Sequence, residues 1–265
     1  MSLFKEREVA PRYVDKGSGV PIILLYGLFG SVKNFASLIK HLEKQYRVIV
    51  PVFPFFEAGH TIDIYSLTDY VDEIVQELGI DNFHLLGNSM GGHIALLYTL
   101  KHPEKVTSLV LSGSSGLYEN GIGDSFPRRK DYDYIKTKTE LTFYDPSIAT
   151  KELVDEIYDS VNSLRVLQIL SLAKSTIRNN LGKQLQAIAT DCCLIWGRDD
   201  TITPAPVARQ FKQHIPHAKL FWIEQCGHVP MLEQPDQFNS ILDSFFLSLY
   251  QKKETVYLLN EGFTG

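Results

Sequence analysis

Short apolar runs punctuate the chain at 21–27 (PIILLYG), 46–53 (YRVIVPVF), 83–89 (FHLLGNS), 106–113 (VTSLVLSG), 192–197 (CCLIWG) and 219–224 (KLFWIE). They are continuously apolar rather than alternating, which is how strands covered on both faces read. Between them, apolar positions recur at helical spacing. In SLTDYVDEIVQELGI, the residues Leu67, Tyr70, Val71, Ile74 and Leu78 share one face, and Gly79 is the expected stop. A second helix is expected over 91–101, ended by HPE, and PDQFNSILDSFFLSLY supplies a last amphipathic one. Strand and helix alternate, so the pattern predicts an α/β fold with a mostly parallel twisted sheet and helices on both faces.

The alternation breaks once. After the run ending at 113, the next strand signal begins only at 192, far beyond a usual connection. The intervening residues are not loop-like. TKELVDEIYDSV places Leu153, Val154, Ile157, Tyr158 and Val161 at helical spacing behind Thr150 as N-cap, and SLRVLQILSLAKSTI reads as another helix. This predicts a core of 1–115 and 190–265 with a helical cap inserted over 116–189. The alternative is a pair of ordinary crossover helices on long loops.

Composition narrows the function classes. A chain of 265 residues, 44% hydrophobic and 22% charged, has the make-up of a globular protein with a large core. Its formal net charge of -5 argues against a nucleic-acid partner. The basic run Arg128-Arg129-Lys130, followed at once by Asp131, reads as a solvated turn or helix face. Cys192, Cys193 and Cys226 form no disulfide framework and no C-x-x-C metal spacing. The first residues, MSLFKEREVA, lack the apolar centre of a signal peptide, and no apolar stretch is long enough to span a bilayer. These features predict a cytoplasmic protein with no membrane partner, and leave homo-oligomer formation open.

The candidate chemistry lies at HLLGNSMGGHIALLY, residues 84–98. Gly87-Asn88-Ser89-Met90-Gly91 is a G-x-S-x-G element between a strand and a helix, the context in which that motif exposes a nucleophilic serine on a sharp turn. A serine needs a base that a third group orients. His228 follows the last strand in EQCGHVPMLEQP, where a loop can reach over Ser89. For the orienting acid, CCLIWGRDDTITP offers Asp199 and Asp200. Two N–H donors must hold the oxyanion. Met90, just after the serine, supplies one, and the loop YGLFGS supplies the other, with Leu28 first and Phe29 second.

On the ordered elements YGLFG, GNSMGG, WGRDDTITP and CGHVPMLEQPDQF, the chain resembles the α/β-hydrolase superfamily over nearly its whole length. That family's Gly-x-x-Asp pattern, followed by a β-branched residue and Pro, selects Asp200 over Asp199. The implied set is Ser89, Asp200 and His228, needing no metal or organic cofactor. Within the superfamily, GNSMGG, FYDPSIATKELVDEIYDS and WGRDD are similar to the meta-cleavage-product hydrolases, which cut carbon–carbon bonds in ring-cleavage products. That likeness implies a substrate contact for Asn88, and Phe29 and Val229 are further expected contacts.

Several positions depart from the group. Tyr26 stands for the His of the oxyanion loop, Val229 for a frequent Trp, Ile157 for the cap arginine, and PVFPFFEAGH for the usual D-x-x-G-x-G. Arg165 and Arg178 are the alternative cations. Ser89 argues against an Asp-nucleophile dehalogenase or epoxide hydrolase of the same fold. The expectation is a serine hydrolase of a carboxylic ester or related small acyl substrate. A carbon–carbon hydrolase is the alternative, and a slow or non-catalytic ligand receptor is a third reading. Phe143, Tyr144, Ile157 and Leu167 either line the pocket or form the cap's own core.

Overall fold

The computed structural model describes residues 11–54, 62–120, 128–163 and 166–261. Seven strands form one sheet in the order β1-β3-β2-β4-β5-β6-β7. They are β1 (Tyr13–Gly17), β2 (Val20–Leu25), β3 (Tyr46–Pro51), β4 (Phe83–Asn88), β5 (Val106–Ser112), β6 (Cys192–Gly197) and β7 (Lys219–Ile223). Every neighbouring pair is parallel except β1 with β3. This is the mostly parallel α/β sheet that the alternating pattern predicts, and the α/β-hydrolase fold that the resemblance implies.

Strand β1 has no apolar run to announce it. It is an edge strand with an exposed end, held by pairing with β3 and by the Arg47–Asp15 ion pair at 2.7 Å. The middle of the sheet shows the opposite regime. Ile22 to Leu25 of β2 and Leu109 to Leu111 of β5 are wholly buried, because helices cover both faces.

Helix α1 (Ala36–Leu42) follows β2, and α2 (Ile64–Glu77) precedes β4. Asp63 caps α2 by accepting the Ser66 N–H, and the chain leaves it through Gly79 at φ +61. Helix α3 (Met90–Lys101) packs on β2, β4, β5 and α2 at once. It is therefore apolar nearly all round rather than on one stripe.

Between β5 and β6 lie α4 (Tyr132–Glu140), α5 (Lys151–Asn162) and α6 (Val166–Arg178). Thr150 caps α5 through the Leu153 N–H. This segment is tied to the rest of the molecule at several points. The Ile64 N–H donates to Ser175 Oγ at 3.1 Å, Tyr65 Oη to Asn179 Oδ1 at 2.7 Å, and Thr201 Oγ1 to the Leu141 carbonyl at 2.7 Å. The exposed Lys33–Glu156 pair adds a screened contact at 3.4 Å. Helices α7 (Ala205–His214), α8 (Pro230–Glu233) and α9 (Pro235–Glu261) complete the chain. Among the described residues, no helix is long and apolar enough to cross a membrane.

Strand order reverses around β2, whose neighbours are β3 on one side and β4 on the other. Ligands of open α/β sheets bind beyond the carboxyl ends of the strands at such a point. Ser89 follows the last residue of β4, at that edge.

Candidate active site

The turn after β4 is built by exclusion. Ser89 has φ +55 and ψ -125, a left-handed conformation that a side-chain-bearing residue adopts only under constraint. The constraint is close backbone approach on both sides. A Cβ at Gly87 would lie 2.3 Å from the Gly91 carbonyl oxygen, and one at Gly91 would lie 2.1 Å from that of Leu25. With both sites empty, the Ser112 carbonyl accepts the Ser89 N–H at 3.1 Å, and the Ser89 carbonyl takes N–H groups from Gly92 and Ser115 at 2.9 and 3.0 Å. The hydroxyl is left on the wall of a cavity of about 350 Å³ that Ser89 shares with His228.

His228 is buried and meets a buried acid. Its Nδ1 stands 2.9 Å from Asp200 Oδ2. Asp200 is itself held by the Ile202 N–H (2.8 Å), the Thr203 N–H (2.9 Å) and Thr203 Oγ1 (2.7 Å). Each such bond to a carboxylate is worth about 1.5–3 kcal/mol, so the carboxylate is fixed before it meets the imidazole. Asp199 is exposed, and its backbone N–H donates to the Cys226 carbonyl at 2.9 Å. Burial opposes a charged imidazole at His228. The charge and hydrogen bond of Asp200, with the charges of Glu119 and Glu233, outweigh burial and hold its pKa above the ordinary 6.5.

The remaining predicted positions surround this pair. Leu28 and Phe29 ride on a turn closed by the Gly30 N–H to the Gly27 carbonyl at 3.0 Å, and both line the cavity. Met90 opens α3, where first-turn N–H groups have no partner within the helix. Val229 lines the cavity beside His228. Asn88 also lines it, but its Nδ2 donates to the Ser112 and His228 carbonyls at 2.9 and 3.0 Å. It therefore braces the histidine loop against β5. Phe143 and Ile157 line the cavity, whereas Tyr144 and Leu167 are 48% and 73% exposed. Tyr26 accepts the Phe53 N–H at 2.8 Å, and burial lifts its phenol to about 12, so it serves as a neutral strut.

One position differs from the sequence expectation. Arg128 and Lys130 are exposed, as a solvated basic turn requires, but Arg129 turns inward and lines the cavity together with Lys138 of α4. A run of three like charges hides the one whose neighbours fold over it. Arg165 lies outside the described residues, as does the latter part of PVFPFFEAGH, and Arg178 ends α6.

Other residues escape sequence reasoning altogether. Gly113 sits at φ +49, and a Cβ there would come within 3.0 Å of His228 Nδ1 and 3.2 Å of Asp200 Oδ2. The Glu233 carboxylate accepts N–H groups from Tyr144 (2.8 Å), Gly227 (2.9 Å) and Val229 (3.0 Å), clamping the histidine loop to the segment after α4. Its one visible signal is its place five residues after the histidine.

His93, on the first turns of α3, is fully buried, and neither ring nitrogen has a hydrogen-bond partner among the described residues. Burial lowers its pKa from 6.5 to about 4. In that window the unfolded chain binds a proton that the native state does not, so stability falls as pH drops from 6.5 toward 4. The loss between pH 7 and pH 5 amounts to about 2 kcal/mol. His93→Leu should flatten this slope in urea unfolding measured at the two pH values. An unchanged slope would contradict a neutral buried His93.

The family model described as the alpha/beta hydrolase fold matches residues 20–235. The chain belongs to the alpha/beta hydrolase fold family. It is 27% identical over 263 residues to the 2-hydroxy-6-oxononadienedioate/2-hydroxy-6-oxononatrienedioate hydrolase of Paraburkholderia phymatum, covering 90% of this chain and 91% of that one. It is also 27% identical over 253 residues to the pimeloyl-[acyl-carrier protein] methyl ester esterase of Nitrosomonas europaea, covering 86% and 96%. Among solved structures, an alpha/beta hydrolase enzyme from the metagenome of lagoon sediments at Mar Chica, Morocco, matches with TM-score 0.73 and 38% identity over 89% of this chain and 94% of that one. As an alpha/beta hydrolase with hydrolases among its relatives, the protein is a hydrolase. Its likeness to hydrolases of ring-cleavage products agrees with the resemblance carried by its motifs.

Proposed function

We propose that the protein is a serine hydrolase that opens a small acyl substrate through an acyl-enzyme, with carboxylic esters as the principal class. The observation that carries this reading is the strained Ser89 on the wall it shares with His228, whose Nδ1 engages buried Asp200. His228 takes the Ser89 proton as Oγ attacks the carbonyl carbon. The N–H groups of Met90 and Leu28 receive the oxyanion. His228 then gives that proton to the leaving group and takes one from the water that opens the acyl-enzyme. Asp200 keeps the imidazole in the right tautomer and stabilises its charged form.

The cavity wall is mixed. Ile135, Leu153, Ile157 and Val161 suit an apolar acyl chain, and Arg129 and Lys138 suit an anionic group. Such a group, taken from water into the cavity without a cation, would be costly. This favours substrates with a carboxylate beyond the scissile bond, and it supports the second reading, carbon–carbon cleavage of a ring-cleavage product. The relative named for a dienedioate hydrolase points the same way, and the one named for a methyl ester esterase supports the first. The buried free thiols of Cys192, Cys193 and Cys226 fit a reducing compartment such as the cytoplasm.

A side-by-side kcat/KM for a short aryl ester, its ω-carboxylated homologue and a phenyl dienoate tests this. The carboxylated ester should exceed the neutral one, and Arg129→Ala should remove that advantage, about ten- to a hundredfold for one lost charge-assisted bond. A neutral ester preferred in both proteins would sink the anionic-group reading. A dienoate preferred a hundredfold or more would make carbon–carbon cleavage the function.

A further inference from the structure

The loop that leaves β5 wraps the candidate catalytic pair. Gly113 lies against the His228 ring and the Asp200 carboxylate. Ser115 donates its N–H to the Ser89 carbonyl at 3.0 Å and its Oγ to Glu119 Oε2 at 2.9 Å. Asn120 then donates its N–H to the Ile202 carbonyl at 2.6 Å, and the Ile202 N–H donates to Asp200 Oδ1. Glu119 is thus strung between the serine's backbone and the loop that carries Asp200. It is half-buried, a position that a lone carboxylate occupies at a cost unless something uses its charge.

We propose that Glu119 is a positioning residue that acts through His228, as a second carboxylate stabilising the imidazolium alongside Asp200. The inference rests on the serine-hydrolase reading above. The charges facing His228 are Asp200 from the loop after β6, Glu119 from the loop after β5 and Glu233 from α8, each of which favours the protonated ring. Arg129 and Lys138 share the cavity with it. Facing Glu119 are His228, which favours its charged form, and Asp200, which disfavours it. Burial raises the Glu119 pKa, and the Ser115 hydroxyl opposes that rise. Glu233 is occupied by three backbone N–H groups, whereas among the described residues Glu119 has a single hydroxyl donor. Glu119 therefore keeps acceptor capacity and charge to spare for the pair.

The sign follows directly. A carboxylate near His228 raises the imidazolium pKa, so removing it lowers that pKa and moves the acid limb of the pH–rate profile to lower pH. Glu119→Gln should shift the limb of kcat/KM, and of fluorophosphonate labelling at Ser89, down by about 0.5–1 pH unit. Glu119→Asp, which keeps the charge, should restore most of the shift. Ser115→Ala, which removes the donor favouring the charged carboxylate, should move the limb the same way by less, and it serves if the Gln variant does not fold. In an Asp200→Asn background, Glu119→Gln should cost about tenfold more activity than in the native chain, because Glu119 is then the remaining carboxylate that acts most strongly on His228. A limb unmoved in both the Gln and the Ser115 variants, with equal cost in both backgrounds, overturns the proposal. A native chain that is not labelled at Ser89 overturns instead the serine-hydrolase reading.

Discussion

Ser89→Ala should abolish hydrolysis of short p-nitrophenyl esters and leave the fold intact. The hydroxyl is the only atom the change removes, and the turn is held by backbone bonds and by glycines on either side rather than by the side chain. Alanine meets the same left-handed strain as serine at φ +55, so stability should change little. Loss of a nucleophile leaves only the rate that oxyanion donors and binding can supply, about 10³–10⁴ over water. Steady-state turnover with matched circular dichroism checks both halves. Turnover at the native rate in a variant free of contaminating esterase would sink Ser89 as nucleophile.

Asp200→Asn should lower kcat by about 10⁴, whereas Asp199→Asn should leave it within a few-fold. Asp200 is buried, faces His228 Nδ1 and is fixed by two backbone N–H groups and the Thr203 hydroxyl. Its amide counterpart can present an N–H where the imidazole also has one, which drives the ring into the wrong tautomer. The exposed Asp199 side chain touches none of this. Parallel kcat measurements decide the matter, and an inactive Asp199→Asn with an active Asp200→Asn would move the acid by one residue. If Glu119 supports His228 as proposed, part of the activity left in Asp200→Asn depends on it.

How far the sequence speaks depends on what each feature responds to. The central strands and α3 are legible because burial on all sides forces unbroken apolar runs, and the Ser89 turn is legible because glycines must flank it. Strand β1 is not, since an edge strand held by pairing and an ion pair needs no apolar run. Asp200 was separable from Asp199 only through a family pattern. The bonds that distinguish them run to the backbone of Ile202 and Thr203, and local backbone geometry leaves no trace in composition. Arg129 reads as solvated for a similar reason, because only the fold around α4 and α5 turns it into the cavity. Glu119 and Glu233 are ordinary acids in sequence. Their roles arise from contacts between segments far apart in the chain.

Activation of Ser89 by His228 can be read from its reaction with an electrophile. Treating the native chain with a fluorophosphonate and mapping the adduct by peptide mass spectrometry tests it most directly. A single residue, Ser89, should be modified, at a rate that climbs as His228 loses its proton, with a midpoint above 6.5, and labelling should be nearly lost in His228→Ala. Labelling at another serine, or at Ser89 with a rate indifferent to both pH and the loss of His228, would contradict it.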